Sequence, residues 1–119
     1  MNIINEQKEF CDSKNTNFEK TKEIQFVVVS DDVLSGALVE GVRYKPQENM
    51  SGWWLTSKDY SGNIEDLKLE HVEHIYEKRK DLVKFLGLPP GYRFFQEKYV
   101  SNSSPEDVWF DEDILSDVE

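Results

Sequence analysis

Cysteine is nearly absent: of 119 residues only Cys11 carries a thiol. One thiol excludes an intramolecular disulfide and any zinc cage built from cysteines. Cys11 adjoins Asp12 and lies near Glu9, whereas a reactive thiol wants a basic setting, so an inert, reduced side chain is expected. Positive charge is also scarce. Fourteen bases face twenty-four acids, for a net charge of −10. That balance argues against binding nucleic acid by phosphate neutralisation and against an anionic membrane surface, so neither is expected as a partner. Long apolar runs are missing. The longest, residues 26–29, suits a strand, and nothing approaches the roughly 18 apolar residues of a membrane span. The start, MNIINEQKEF, has neither a basic segment nor the apolar stretch of a secretory signal, and a cytoplasmic protein is expected. Catalytic signatures are missing too: there is no GxSxG, no HExxH and no Cys–His pairing. The glycines of LGLPPGYRFF do not make a phosphate loop, because the prolines remove the amide donors it would need. No catalytic residue, metal or cofactor is expected.

What is present suffices for a core. Hydrophobic residues make up 38% and aromatics 13%, and a chain of this length forms one domain without metal or disulfide staples. We expect an N-terminal helix and connector over 1–22, a core over 24–99 and an acidic segment over 101–119. In the first part, Ile3, Ile4, Phe10 and Cys11 recur about two turns apart, and Phe18 could pin the connector to the body. The run IQFVVV, apolar on both alternating faces, predicts a centrally placed strand over 24–30. A second strand is expected over 37–44, with Gly41 marking a bulge or a close backbone approach. Residues 45–52 read as a loop and 53–57 as a third strand, and the short links favour an antiparallel meander.

The period then changes. Leu69, Val72, Ile75, Tyr76, Leu82, Val83 and Leu86 recur at helical steps, continuous or broken near residues 78–81. Gly87 and Pro89-Pro90 stop the helix, and a fourth strand is expected over 92–99. In the acidic segment a short docked helix is expected near 105–110, with a frayed end. The predicted fold class is α+β: a mainly antiparallel sheet of four or more strands with helices packed on it.

Several groupings could carry chemistry. His71 and His74 would share a helical face with Glu70 and Glu77, a spacing able to hold a divalent metal, though a solvated helix face explains it as well. The acid pairs Asp31/Asp32, Glu65/Asp66 and Glu106/Asp107 and the triplet Asp111/Glu112/Asp113 sit in turn or tail compositions. Such acids are ordinarily solvated or stabilise turns. Trp53 and Trp54 are strand neighbours and must point to opposite faces, one into the core and one outward. Residues 101–119 hold seven acids and no base, with Trp109 and Phe110 among them. A concentrated acidic surface speeds capture of a basic partner.

From Val27 onward the segments VVVSDDVLSGALVEGVRY, SGWWLTSKDY and LGLPPGYRFFQE carry a family likeness. An apolar strand ends in Val29-Ser30-Asp31 and turns at Gly36; the next strand ends near Tyr44. Ser51-Gly52-Trp53 opens another, and Leu88-Pro89-x-Gly91 precedes a strand carrying Phe95. Over about residues 24–97 this pattern resembles the bacterial immunity protein 33 family. The resemblance implies a compact α+β domain that protects a toxin-producing cell by binding the cognate toxin, with no catalytic residue to carry over. On the residues themselves, the expected contacts with a basic toxin surface are Trp54, Asp59, Tyr60, Asp111, Glu112 and Asp113. The alternative is a small acidic interaction or regulatory domain unrelated to toxins, which could pair as a homodimer through an exposed strand.

Overall fold

The computed structural model describes residues 3–34, 38–57, 60–96 and 107–116. Helix α1, Ile3–Ser13, buries Gln7, Phe10 and Cys11, one face at three- and four-residue steps. It stops where Asn15 takes a left-handed conformation (φ 58°), and the Thr16 N–H donates to the Cys11 carbonyl at 3.0 Å. The connector follows, with Phe18 packed against the core as expected.

Six strands form one sheet: β1 Phe26–Ser30, β2 Val39–Arg43, β3 Met50–Ser57, β4 Leu67–His71, β5 Tyr92–Gln96 and β6 Asp107–Phe110. Their order is β4-β1-β3-β2-β5-β6. All neighbours are antiparallel except β1 and β3, which are parallel. The fold is therefore α+β with a mostly antiparallel sheet, as the sequence predicts. The meander is not observed, because β3 inserts between β1 and β2. After β1 the chain leaves the sheet plane: Val33 is fully buried, and its carbonyl accepts from Arg79 Nη1 at 2.6 Å. A tight β1–β2 hairpin cannot include that detour.

Other boundaries also differ from expectation. β1 begins at Phe26, with Ile24 exposed. β3 begins at Met50, inside the stretch read as a loop. A bulge admits it: the parallel register moves from Phe26 opposite Met50 to Val28 opposite Trp54. Gly52 sits in this bulge at φ +93°, where a Cβ would lie 2.1 Å from the Tyr44 carbonyl oxygen. The helix expected from Leu69 onward instead starts at Val72. Leu67–His71 is strand β4, which pairs residue by residue with β1. Helix α2, Val72–Lys78, ends at Arg79, and a 3-10 segment, Lys80–Gly87, continues to the prolines. β6 occupies the place of the helix expected over 105–110, and a short helix α3, Asp113–Ser116, follows it. The expected strand end at 97–99 lies outside the described residues.

The core lies between one sheet face and the layer made by α1, α2 and the 3-10 segment. Phe85 stacks on Phe94 with centroids 4.1 Å apart, and Phe10 meets Phe85 edge-on at 5.2 Å. Trp53 is fully buried and donates from Nε1 to the Leu86 carbonyl at 3.2 Å. Gly41 is the close approach that the sequence suggests, since the Phe94 ring lies directly over its Cα. Two arginines are buried with the aromatics. Arg43 donates from Nε to the Ser51 carbonyl (3.0 Å), and from Nη1 to those of Glu19 (2.9 Å) and Leu88 (2.7 Å). It thereby ties β2, β3, the connector and the 3-10 exit together. Arg79 grips Asp81 with two bonds, at 3.0 and 2.9 Å, across the break between α2 and the 3-10 segment.

Candidate partner-binding surface

Side chains alternate along a strand, so residues paired across a sheet share a face. Trp53, Val27, Val29 and Phe94 face the helical layer. The residues beside them face away, and the pairings align them in one row across all six strands: Leu69, Val28, Trp54, Val42, Arg93 and Trp109. Trp54 is 37% exposed, Leu69 51% and Trp109 45%. Between them Val28 is buried and Val42 and Arg93 are half-buried, so the row exposes three large apolar groups gathered on one face, an arrangement that marks docking sites.

Neighbours extend the row. Tyr44 meets Trp54 edge-on at 5.9 Å, and together with Lys45, Gln47, Met50 and Gly52 they line a shallow cleft. Phe26 stacks on His71 at 4.6 Å, next to Leu69. Arg93 lies 5.9 Å over the Trp109 ring and donates from Nη1 to Asp111 Oδ2 at 3.2 Å. Its charge is thus shared between an aromatic face and a carboxylate. Phe110 points to the opposite side, against Tyr92.

The expected contact residues fall in separate places. Trp54 is at the centre of the row. Asp111 is half-buried at its β6 end, held by Arg93 and accepting from the Asp113 N–H at 3.1 Å, so it orders the entry to α3. Glu112 and Asp113 beside it are exposed. Tyr60 lies elsewhere, donating its hydroxyl to the Asn63 carbonyl at 2.9 Å and lining a cleft with Ser30, Asp31, Asp32, Ser61 and Asp66. Asp59 lies outside the described residues, as does Glu106. The segment carrying Trp109 and Phe110 docks by strand pairing rather than as the expected helix, and both side chains stay exposed.

The histidines do not share a helical face, because His71 ends β4 and only His74 is on α2. His74 Nδ1 lies 3.0 Å from Glu70 Oε1. Among the described residues no three His, Cys, Asp or Glu side chains converge on one point. Asp32 accepts from the Ser30 hydroxyl at 3.2 Å, a bond between side chains at the turn after β1. Cys11 is buried within the helical layer, and burial, with the Asp12 charge adding to it, pushes its thiol up to about 11. No helix among the described residues is long and apolar enough to cross a membrane.

The charge divides unevenly. Residues 3–23 and 72–87, which build the helical layer, carry eight acids and eight bases. The remaining residues carry sixteen acids and six bases, and so the whole −10, of which −7 lies in residues 101–119. Sequence reasoning placed most of the acidity in residues 101–119, which the count bears out, and found Trp54. It missed Leu69, Tyr44, Phe26 and the Arg93–Trp109 pair. The available signal for Leu69 was the alternation Leu67, Leu69, His71, a period of two overlapped by the helical period that starts at Val72.

Residues 6–111 match the family model of the Imm33-like domain. The match runs beyond residues 24–97 at both ends, taking in most of α1 and all of β6. No curated protein and no solved structure matches the chain.

Proposed function

We propose that this chain, which belongs to the Imm33-like domain family, is a non-enzymatic immunity protein. It binds a cognate bacterial toxin and neutralises it in the cytoplasm of the cell that makes both. The observation that carries this reading is the sheet face with Trp54, Leu69 and Trp109 open to solvent. The fold buries Trp53, Phe85 and Phe94 completely, yet it leaves three large apolar side chains exposed together on this face, while Ile24, Ile64 and Phe110 are exposed elsewhere. A binding protein needs such groups, because interface anchors are typically aromatic and aliphatic groups ready for burial.

The test is co-expression of the tagged chain with the product of the adjacent gene in its native locus. A stoichiometric complex, together with relief of that product's toxicity, is the expected result. A toxic neighbour whose effect on growth is unchanged by the chain would refute the reading.

One observation favours a second reading, an interaction domain that pairs with itself. Among the described residues strands β4 and β6 are the sheet edges, each hydrogen-bonded on one side only in the sheet order. Light scattering on the purified chain separates the two, since a concentration-independent dimer supports self-pairing and a monomer removes it.

A further inference from the structure

Resting on that reading, we propose that the toxin docks on the open sheet face itself, through a flat apolar patch rimmed by lysine and arginine side chains. The dimensions suit a protein partner. Five strand spacings of about 4.8 Å carry the row some 24 Å from Leu69 to Trp109. A standard interface of about 800 Å² per partner is a disc roughly 32 Å wide. The acids make up the margin. Asp31, Asp32, Glu65 and Asp66 stand where β1 ends and β4 begins, Glu40 is paired with Thr56 and Phe95 on the open face, and Asp111, Glu112 and Asp113 follow β6.

Charge selects the occupant. Outside the helical layer, which is balanced, the described residues carry eleven acids and four bases. Two bases would oppose a basic partner here: Lys45, which lines the cleft beside Trp54, and Arg93 near the β6 end, whose guanidinium Asp111 and the Trp109 ring already engage. A second copy of this chain fits poorly, because face-to-face pairing would set one acidic margin against another. The helical layer is the weaker candidate for the toxin. Lys8, Lys14 and Lys84 stand over the rings of Phe18, Phe10 and Phe85, so its apolar groups are capped by cations that would repel a basic surface.

The experiment uses the full chain and the co-expressed neighbouring gene product, with Kd measured by calorimetry or surface plasmon resonance. Trp54→Ser and Leu69→Ser should each raise Kd by about 30-fold or more, the loss expected of a central anchor. Glu40→Gln combined with Glu112→Gln should slow association and flatten its dependence on salt. Lys8→Ser and Lys84→Ser should leave Kd within about threefold. Leu69 is exposed, so its variant keeps the fold, and circular dichroism checks this. If the wild-type chain binds and both open-face variants bind equally well, the location is wrong while the immunity reading stands. If the wild-type chain neither binds nor protects, both fall. A dimer that Trp54→Ser dissociates would overturn the choice of a basic partner in favour of a second copy.

Discussion

Replacing Gly41 with alanine should lower stability by about 2 kcal/mol. An added Cβ would stand 2.1, 2.5 and 2.7 Å from Cε2, Cζ and Cδ2 of Phe94, against 3.4 Å or more for ordinary contact. The ring has nowhere to go. It is 1% exposed, stacked on Phe85 at 4.1 Å and edge-on to Trp53 at 5.5 Å. Forcing a methyl group into a packed core costs about 1–3 kcal/mol, and an overlap this deep belongs at the upper end. Against that, removing a glycine from a strand interior returns about 0.5–1 kcal/mol. For a domain of this size, about 2 kcal/mol shifts the midpoint of thermal unfolding down by roughly 8 °C. Circular dichroism melts measure the shift, and urea titrations should show a lower midpoint at unchanged slope. Adding Phe94→Leu to Gly41→Ala should cost less than the two single losses combined, because the smaller side chain makes room for the methyl group. A Gly41→Ala protein melting at or above wild type would refute the reasoning, since the ring would then be free to move and backbone propensity alone would decide.

Arg43→Met removes the donors that satisfy three carbonyls, and at about 1–3 kcal/mol for each buried unsatisfied group it should cost on the order of 3 kcal/mol or more in urea unfolding. A loss below about 1 kcal/mol would mean water replaces the guanidinium without penalty. Cys11, with its thiol pushed up to about 11 by burial and then by Asp12, should resist Ellman's reagent at pH 8 until the chain unfolds. Rapid stoichiometric labelling of the folded protein would contradict this. Burial pushes the Asp81 carboxyl up, but its bonds with the Arg79 guanidinium overcome that and hold it below the usual range. The stability it contributes is therefore complete above its unfolded value of about 3.9 and is lost as pH falls through the lower folded value. Asp81→Asn should flatten the fall of the urea midpoint between pH 5 and pH 2, and parallel curves for the two proteins would rule the pair out as its source.

Much of the local structure is legible without coordinates. Period two puts Trp53 and Trp54 on opposite faces, although it cannot say which is inside; that depends on where the helical layer packs. Gly41 is recognisable as a close approach from its place within a β-branched strand, but the ring that approaches comes from β5, more than fifty residues later. Leu69 is ambiguous because its spacing to Val72 and Ile75 satisfies a helix and its spacing to Leu67 and His71 satisfies a strand. The β1 edge decides, offering β4 a ladder of hydrogen bonds. In Asp107–Phe110 the strand formers Val108, Trp109 and Phe110 give a strand signal only three residues long within an acidic segment, and pairing with β5 realises it. Arg43 gives no sign of burial, because the carbonyls that satisfy it come from three separate segments, eight, 24 and 45 residues away.

Chain composition and spacing by themselves determine the acidic character, the unpaired thiol, the helical N-terminus, the alternation along each strand and the stop at Pro89-Pro90. These are properties of single residues and near neighbours, where sterics and charge act over a few bonds. Tertiary structure alone decides that β3 lies parallel to β1, that residues 67–71 become a strand, and that Leu69, Trp54 and Trp109 line up on one open face with Arg93 between aromatic and carboxylate. Those outcomes depend on pairings between residues far apart in sequence, and a strand's pattern specifies which face it buries but not which strand lies beside it.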